Sequence, residues 1–256
     1  DSEDEDKQNF DIFSEKISND LNNLQKDEKH EEIKILLKMV VKIANHHHRG
    51  PNFFDKINQA LSYLLNDIEQ TLSNFEIFDI CKKNKLILLF LFKKQIITMN
   101  ILICEYFFTD SNYSAFFIPE IDAFVQNEKK LMGKTTNPFD PSKYTKFDKQ
   151  RQIGENHSYI CNLMRNDSVE DFIVYVNKNN ISLSSTIKPS FFETNLFLSK
   201  RNPTLIEYSA FFGAIQIFQY LKYNQVNLTP SLWLYAIHSK NPELIHVLEE
   251  NNVEPN

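Results

Sequence analysis

Glycine is scarce in this chain, which has only four glycines but 22 phenylalanines among its 256 residues. Folds rich in tight turns need many residues with positive φ angles, and glycine adopts such angles at the lowest cost. Collagen-like sequences, Gly/Ser-rich linkers and turn-rich β-folds are therefore disfavoured. At about 100–200 residues per domain the length indicates one or two domains. We expect them to be α-helical.

Cysteine is also scarce. The three cysteines, Cys81, Cys104 and Cys161, are widely spaced and form no CxxC pair. An odd number without close pairs favours neither a disulfide framework nor a zinc knuckle. The simplest compartment for such a chain is the reducing cytoplasm.

Long apolar runs and a basic charge excess are absent as well. The most apolar run, residues 86–92, stops at Lys93 and is far shorter than the ~20 residues that span a bilayer. The formal net charge is −6, so no basic footprint for nucleic acid is indicated. Part of this charge lies in residues 1–8, which we expect to be an acidic, disordered tail.

Apolar residues at three- and four-residue steps predict amphipathic helices in a region that extends from residue 9 to 150. Residues 133–150 are polar and lack periodicity, and we expect them to link this region to the next. The predicted stripes are Phe10, Phe13, Ile17, Leu21 and Leu24; then Ile33, Leu36, Leu37, Val40 and Ala44; then Phe54, Ile57, Leu61, Leu64, Ile68 and Leu72.

An internal repeat follows in residues 151–256. Five apolar positions recur 27 residues downstream and 45 residues upstream, which gives units at about 157–183, 202–228 and 229–255 with an insertion at 184–201. Each unit predicts two short helices, and neither can bury its apolar face alone. The matched residues are Tyr208, Ile217, Phe218, Leu221 and Val226; Tyr235, Leu244, Ile245, Leu248 and Val253; and Leu163, Phe172, Ile173, Val176 and Ile181.

The middle unit resembles the ankyrin repeat. Thr204 falls on that family's opening threonine, Ser209 and Ala210 on its small pair, and Gly213 on its inter-helix glycine. The period of 27 is shorter than the typical ~33, so the resemblance implies a shortened β-hairpin finger. The whole chain is similar to divergent ankyrin proteins of unicellular eukaryotes, in which a helical N-terminal region precedes the repeats. This implies an all-α fold, with an ankyrin-like α-solenoid of stacked helix pairs after that region.

Two further features were compared with the ankyrin template. Residues 74–98 place apolar side chains on its core positions, which predicts a cryptic repeat in the N-terminal region. Because glycine is rare, asparagine is expected to supply left-handed backbone at the ends of units, at Asn180 and Asn252. The core positions in the cryptic repeat are Phe78, Ile87, Leu88, Leu91 and Ile96.

No catalytic, cofactor or metal site is predicted. Three adjacent histidines, His46 to His48, point about 100° apart on a helix and cannot converge on one ion. Gly133, Lys134 and Thr135 lack the first glycine of a phosphate-binding loop. His157 and Cys161 have the spacing of one helical face, but a buried core cysteine is favoured over a thiol–imidazole pair. The acidic residues Asp167, Glu170 and Asp171 indicate a solvated turn and helix start.

The inter-helix turns and exposed first-helix faces are where the ankyrin resemblance implies a partner-binding surface. Phe211 and Phe212 are the aromatic residues of this predicted surface, and aromatic residues are enriched at interface hot spots. The alternative is that they pack against Phe191, Phe192 and Phe197 of the insertion. The predicted partner-binding residues are Arg165, Asn166, Asp167, Phe211, Phe212, Ser239, Lys240 and Asn241.

The function expected from these features is that of a non-enzymatic interaction scaffold or adaptor with a protein partner. The last repeat has no polar capping helix, so an apolar face is expected to be open after it. Further repeats, an oligomer or a partner would cover that face. Two alternatives stay open: a structural component of a cytoskeletal or ribonucleoprotein assembly, and a thiol-dependent enzyme or effector that uses Cys161 and His157.

Overall fold

The computed structural model describes residues 16, 19–21, 23–46, 52–131 and 145–255. In these residues the regular structure is α-helical, as predicted, and the one β-contact is an isolated bridge between Thr186 and Thr204. The chain divides into two compact units, Asp1–Tyr144 and Thr145–Asn256. The acidic tail, most of the first predicted helix, His47, His48 and residues 133–135 lie outside the described part.

The N-terminal unit begins with two long helices that pack on each other. The buried faces of these helices include Ile33, Leu37 and Ala44, as the periodicity predicts. Lys29, near the start of the first, pairs with Asp67, near the end of the second, at 2.7 Å, so the two run in opposite directions. The helices of this unit are α1 (Lys26–His46), α2 (Phe53–Thr71), α3 (Asn74–Cys81), α4 (Lys85–Lys93), α5 (Ile101–Phe108), α6 (Ser111–Phe116) and α7 (Ile118–Leu131).

Aromatic rings fill the space between the short helices of this unit. Phe107 of α5 stacks on Phe117, between α6 and α7, with ring centroids 4.5 Å apart, and Phe78 of α3 meets Phe107 edge-on at 5.8 Å. The ammonium group of buried Lys85 lies 5.1 Å from the ring centroid of Tyr113. The phenol of Tyr113 donates to the Lys82 carbonyl at 2.6 Å, and burial raises its pKa. Aromatic contacts thus join α3, α5 and the junction of α6 and α7.

The C-terminal unit begins with a helix that the sequence did not predict. Thr145–Ile153 is helical although part of it lies in the expected linker. Arg151 is almost fully buried and its Nε donates to Asp148 at 3.0 Å, while Phe147 packs on Phe192. A hydrogen bond within the helix and the tertiary packing of Phe147 therefore stabilise this helix without an apolar stripe. The helices are α8 (Thr145–Ile153), α9 (Tyr159–Arg165), α10 (Val169–Lys178), α11 (Leu196–Arg201), α12 (Leu205–Phe212), α13 (Ile215–Tyr223), α14 (Leu232–Ser239) and α15 (Pro242–Glu250).

Three helix pairs of this unit, α9–α10, α12–α13 and α14–α15, end in the same way. At each end an N–H donates to the carbonyl five residues earlier, at 2.9 to 3.1 Å, from a residue that follows a left-handed one. This is the closure expected when a helix ends in a left-handed residue. The left-handed residues are Asn180, Gln225 and Asn252, and the donor–acceptor pairs are Ile181–Val176, Val226–Leu221 and Val253–Leu248.

The first pair differs from the sequence alignment by one residue. The turn after α12 is closed by the N–H of Ala214, which donates to Ser209, and the turn after α9 by that of Ser168, which donates to Leu163. Leu163 is therefore equivalent to Ser209 and not to Tyr208, as the alignment had it. Helix α10 has ten residues where α13 has nine, and this extra residue restores the predicted register at the end of the pair.

The pairs contact one another through corresponding helices. Helix α12 packs against α9 on one side and α14 on the other, and α13 packs against α10. Buried residues from all three pairs form one continuous core, which includes Met164, Ile217 and Leu244. Each first helix thus buries its apolar side chains only because a neighbouring pair covers them.

A capping box fixes the start of α3. The carboxylate of Glu76 accepts hydrogen bonds from the backbone N–H of Ser73 at 3.0 Å and from its hydroxyl at 2.7 Å. The same carboxylate faces His30 at 3.1 Å. The hydrogen bonds from Ser73, with a smaller contribution from His30, lower the pKa of Glu76 to about 2. The box belongs to a known class of helix-start motifs and satisfies two backbone donors.

Replacement of Glu76 by glutamine tests this charge. A carboxyl whose pKa is lowered by folding stabilises the protein above its unfolded pKa, and this contribution is lost as the pH falls from about 4.5 to about 2. We expect Glu76→Gln to lower the melting temperature by about 2–4 °C at pH 7, the shift for ~1 kcal/mol. The difference from wild type should shrink below pH 4.5 in circular dichroism melts. Asp79→Asn is the control, and a difference that does not change with pH would contradict the assignment.

Candidate partner-binding surface

The predicted turn residues are partly used to join the helix pairs. The carboxylate of Asp167 accepts the N–H groups of Gln216 at 3.0 Å and Ile217 at 2.9 Å, at the start of α13. The side-chain amide of Asn241 donates to the carbonyl of Gly213 at 3.4 Å. Asp167 also has a φ of 50°. Both side chains therefore hold adjacent pairs in register.

The other turn residues differ in exposure. Asn166 and Lys240 are exposed, whereas Ser239 is half-buried and its hydroxyl donates to the Ala236 carbonyl at 2.7 Å. Lys240 has a φ of 55° at the position of Gly213 in the middle pair. Asn166 and Lys240 are thus the turn residues whose side chains are most open to a partner.

Arg165 is turned toward the interior of the unit. Its guanidinium donates to the carbonyl of Asn156 at 2.9 Å and to the hydroxyl of Tyr208 at 2.8 Å, and it pairs with Glu155 at 2.9 Å. The guanidinium also lies over the ring of Phe212, 5.9 Å from its centroid. Only 14% of the Arg165 side chain is exposed, so its guanidinium interacts with groups of this unit and not with a partner.

Phe211 packs against the inserted segment, which is one of the two alternatives that the sequence left open. Only 8% of the residue is exposed, and its ring stacks on Phe197 of α11 with centroids 5.8 Å apart. Phe197 also meets Tyr235 and His238, at 4.9 and 4.5 Å. Phe212 is half-buried beside Phe211. The insertion therefore covers much of the first-helix face that was expected to meet a partner.

Backbone hydrogen bonds hold both ends of the insertion in place. The N–H of Ile187 donates to the Pro203 carbonyl at 2.7 Å, and that of Leu205 donates to the Ser185 carbonyl at 3.0 Å. Leu198 of α11 is buried in the common core. The covering of Phe211 is thus an integral part of the fold.

His157 and Cys161 do not share a helical face, because α9 begins only at Tyr159. The ring of His157 meets Phe192 edge-on at 4.6 Å, and its Nδ1 lies 3.5 Å from the hydroxyl of Ser190. Cys161 is fully buried, and burial raises the pKa of its thiol against smaller opposing effects of Ser158, Tyr208 and Arg165. The core encloses the thiol, and its burial disfavours the ionised form.

The last helix pair leaves apolar side chains open where the middle pair covers them. Ala210 is fully buried, and its equivalent 27 residues later, Ile237, is 63% exposed. Leu234, which replaces Glu207, is 45% exposed. The sequence predicted an open face after the last repeat but named no residues. The substitutions of Ala210 by Ile237 and of Glu207 by Leu234, read from the 27-residue register, are the signal that identifies them. We call Trp233, Leu234, Ile237 and Ile245 the end face.

Comparison with protein-family models, with curated proteins and with solved structures found no match in any of the three. Among the described residues no group of three or more histidine, cysteine, aspartate or glutamate side chains is placed to hold a metal ion. None of the helices there is both long and apolar enough to cross a membrane.

Substitutions of Asp167 separate its carboxylate from its backbone conformation. Asp167→Gly keeps the positive φ but removes the carboxylate, and Asp167→Ala removes both, so we expect losses of about 1–2 kcal/mol with alanine the more destabilising. Asp167→Asn keeps an acceptor and a tolerated left-handed residue and should lose less. Urea unfolding followed by the fluorescence of Trp233, the single tryptophan, reports on this unit. Asn166→Ala is the matched control. Equal stability of all variants would contradict the role given to Asp167.

Labelling of Cys161 tests whether its thiol is enclosed. In a Cys81→Ser, Cys104→Ser background, we expect native Cys161 to react with a maleimide at least ~100-fold more slowly than in 6 M urea, because an opening free energy of about 3 kcal/mol gives that factor. Ellman or mass-spectrometric rates supply the measurement. Fast native labelling would instead favour the thiol-dependent enzyme.

Proposed function

We propose that this chain is a non-enzymatic protein-interaction scaffold whose C-terminal unit is an ankyrin-like stack of helix pairs. The identical closures at Asn180, Gln225 and Asn252 support a repeated unit, because they recur at the spacings of 45 and 27 residues that the sequence predicts. Neighbouring pairs are joined by further bonds, such as that from the Ser231 hydroxyl to Glu207 at 2.6 Å. Contacts between corresponding helices are the pattern expected of a solenoid.

The proposal extends to the predicted cryptic repeat at residues 74–98. Helices α3 and α4 have eight and nine residues, as α12 and α13 do. The first helix of each pair starts with a capping box, at Ser73 and at Thr204. The second helix of the N-terminal pair is closed by the Ile96 N–H, which donates to Leu91 at 3.0 Å after left-handed Gln95. This local geometry matches that of the middle pair and supports the proposal that residues 74–98 form a repeat of the same kind.

The observation that carries the scaffold function is the exposed end face. A helix face that is apolar and open is costly in water, at about 25 cal/mol for each Å². Ile237 is 63% exposed at a position where Ala210 is covered by the next helix. Exposed apolar patches on a folded surface mark interaction sites. A partner that covers Leu234 and Ile237 would complete the core of the last pair.

The two alternatives differ in what supports them. A thiol-dependent enzyme needs a reachable, ionised thiol, whereas Cys161 is buried with a raised pKa. The proposal of a permanent structural component uses the same end face as the scaffold proposal, and differs in the lifetime of the complex. We therefore favour protein interaction and leave the identity and permanence of the partner to experiment.

Polar replacement of the end face tests this function. We expect Leu234→Ser combined with Ile237→Ser to reduce recovery of specific partners from source-cell extract at least ~10-fold, since the loss of two apolar anchors removes more than the 1.4 kcal/mol that this factor requires. Quantitative mass spectrometry of affinity-purified protein measures the recovery.

The matched control is Val174→Ser, because Val174 is 64% exposed on α10 of the first pair. Both variants change exposed side chains and should fold as wild type does, within about 0.5 kcal/mol. Equal recovery with the end-face variant, or an equal loss with Val174→Ser, would contradict the proposed surface.

A further inference from the structure

Helix α1 has a second apolar stripe on the side opposite its packed face. Ile35, Met39 and Ile43 follow one another at four-residue steps, so they share one side of the helix and extend about 12 Å along it. Their exposed fractions are 47%, 52% and 47%. We call these three residues the α1 stripe. The buried residues on the other side of the helix are Ile33, Leu37, Val41 and Ala44.

The α1 stripe is unusual for a surface helix. Such a helix normally packs one apolar face on the core and presents charged and polar side chains to water. Half-buried Leu36, three residues before Met39, borders the stripe and widens it. Contiguous apolar side chains on a folded surface mark an interaction site.

The charged residues on this side of α1 are divided by sign along the helix. Successive residues of a helix are about 100° apart, so Glu28 and Glu32 each lie about 20° from Met39 around the axis. Lys42 and His46 lie about 60° and about 20° from it. All four side chains are exposed. The acidic residues precede Met39 and the basic residues follow it, so the side has an acidic end and a basic end.

The basic residues in the acidic half of α1 are directed elsewhere. Lys29 forms the ion pair with α2 that is described above, at 2.7 Å. Lys34 lies about 140° from Met39 around the axis. Its ammonium group approaches Glu76 of α3 at 3.7 Å. Lys38, between the two halves, lies about 100° from Met39 and so at the flank of this side.

This division of charge favours an antiparallel contact between two copies of α1. If the stripes pack with Met39 on Met39, an antiparallel arrangement places Ile35 opposite Ile43 of the second copy. It also places Glu32 level with His46 of that copy, and about 6 Å along the axis from its Lys42. A parallel arrangement would instead place Glu32 on Glu32 and Lys42 on Lys42. Unlike charges across an interface are favourable and like charges unfavourable.

We propose that the α1 stripe is the contact surface of an antiparallel homodimer of this chain. A two-fold contact uses the same patch on both copies, so the patch has to be complementary to itself. The stripe meets this condition, because its apolar centre is flanked by an acidic end and a basic end. The proposal goes beyond the scaffold function and does not rest on the end face.

Sedimentation velocity of the full chain tests whether two copies associate through the stripe. The contact is at the small end of protein interfaces, so we expect a dimer with a dissociation constant of about 10–100 µM. Met39→Glu should keep the chain monomeric up to about 300 µM, because two carboxylates would face each other at the centre of the contact. Circular dichroism confirms that each variant is folded.

Two control variants accompany Met39→Glu. Leu102→Glu makes the same kind of change on α5 of the same unit, where Leu102 is 62% exposed, and should dimerise as wild type does. The chain with Leu234→Ser and Ile237→Ser should also dimerise as wild type does. Failure of the scaffold function would therefore leave self-association through α1 unaffected.

Charge reversal tests the antiparallel arrangement. Glu32→Lys alone and Lys42→Glu alone should each weaken the dimer at least ~5-fold in about 50 mM salt, because unlike neighbours become like ones. The double variant Glu32→Lys, Lys42→Glu restores unlike neighbours, so its dissociation constant should lie within ~3-fold of wild type. It keeps the net charge of −6 and thereby controls for a general charge effect. These differences should shrink in about 1 M salt, where the Debye length is about 3 Å.

The contrary outcomes differ from one another. A wild-type chain that stays monomeric up to about 300 µM, a concentration at which a dimer of this size should form, overturns the proposal. A dimer that survives Met39→Glu does the same, because its contact lies elsewhere. If the dimer needs Met39 but neither single charge reversal weakens it, the antiparallel arrangement is wrong. A monomeric chain that loses partners from extract on Met39→Glu would assign the stripe to another protein and also overturn the homodimer.

Discussion

The short length of the helices is the constraint on which the C-terminal unit depends. Helices α9 to α15, apart from the insertion's α11, have seven to ten residues, and helices this short are marginal in water. Each is stable only through the neighbour that covers its apolar face. Helix α12 is covered by α9 and α14, which is why Tyr208 and Ala210 are almost fully buried. The stability of each pair therefore depends on the pairs packed against it, and the last pair lacks one such neighbour in the described structure.

The shortage of glycine affects how the chain reverses direction between these short helices. Short helix pairs need a chain reversal at every end, and a left-handed residue provides it in a single step. This chain places Asn180, Gln225 and Asn252 at such ends, and Gly213, with a φ of 70°, in the turn between α12 and α13. A non-glycine residue in the left-handed region costs roughly 1–2 kcal/mol, less for asparagine. Burial between neighbouring pairs offsets that cost, so turns and stacking depend on each other.

The sequence predicts what depends on periodicity and misses what depends on tertiary contact. The all-α class, the buried stripe with Ile33 and Leu37, and the left-handed Asn180 and Asn252 are confirmed. Helix α8 was missed because an ion pair and aromatic contacts, not a stripe, stabilise it. Phe211 was ambiguous because its cover comes from the insertion. His157 was wrongly placed on a helix, since α9 begins at Tyr159 and Ser158 is its N-cap residue.

The candidate site follows from a difference between equivalent positions. Charged and polar groups of the first pair are turned inward, as with Arg165 on Tyr208 and Asp167 on α13, so they leave little specific chemistry at that surface. The last pair instead places Ile237 in water, whereas Met164 and Ala210, at the same position of the first and middle pairs, are fully buried. The exposed side chain of Ile237 is therefore what distinguishes the last pair from the two pairs before it.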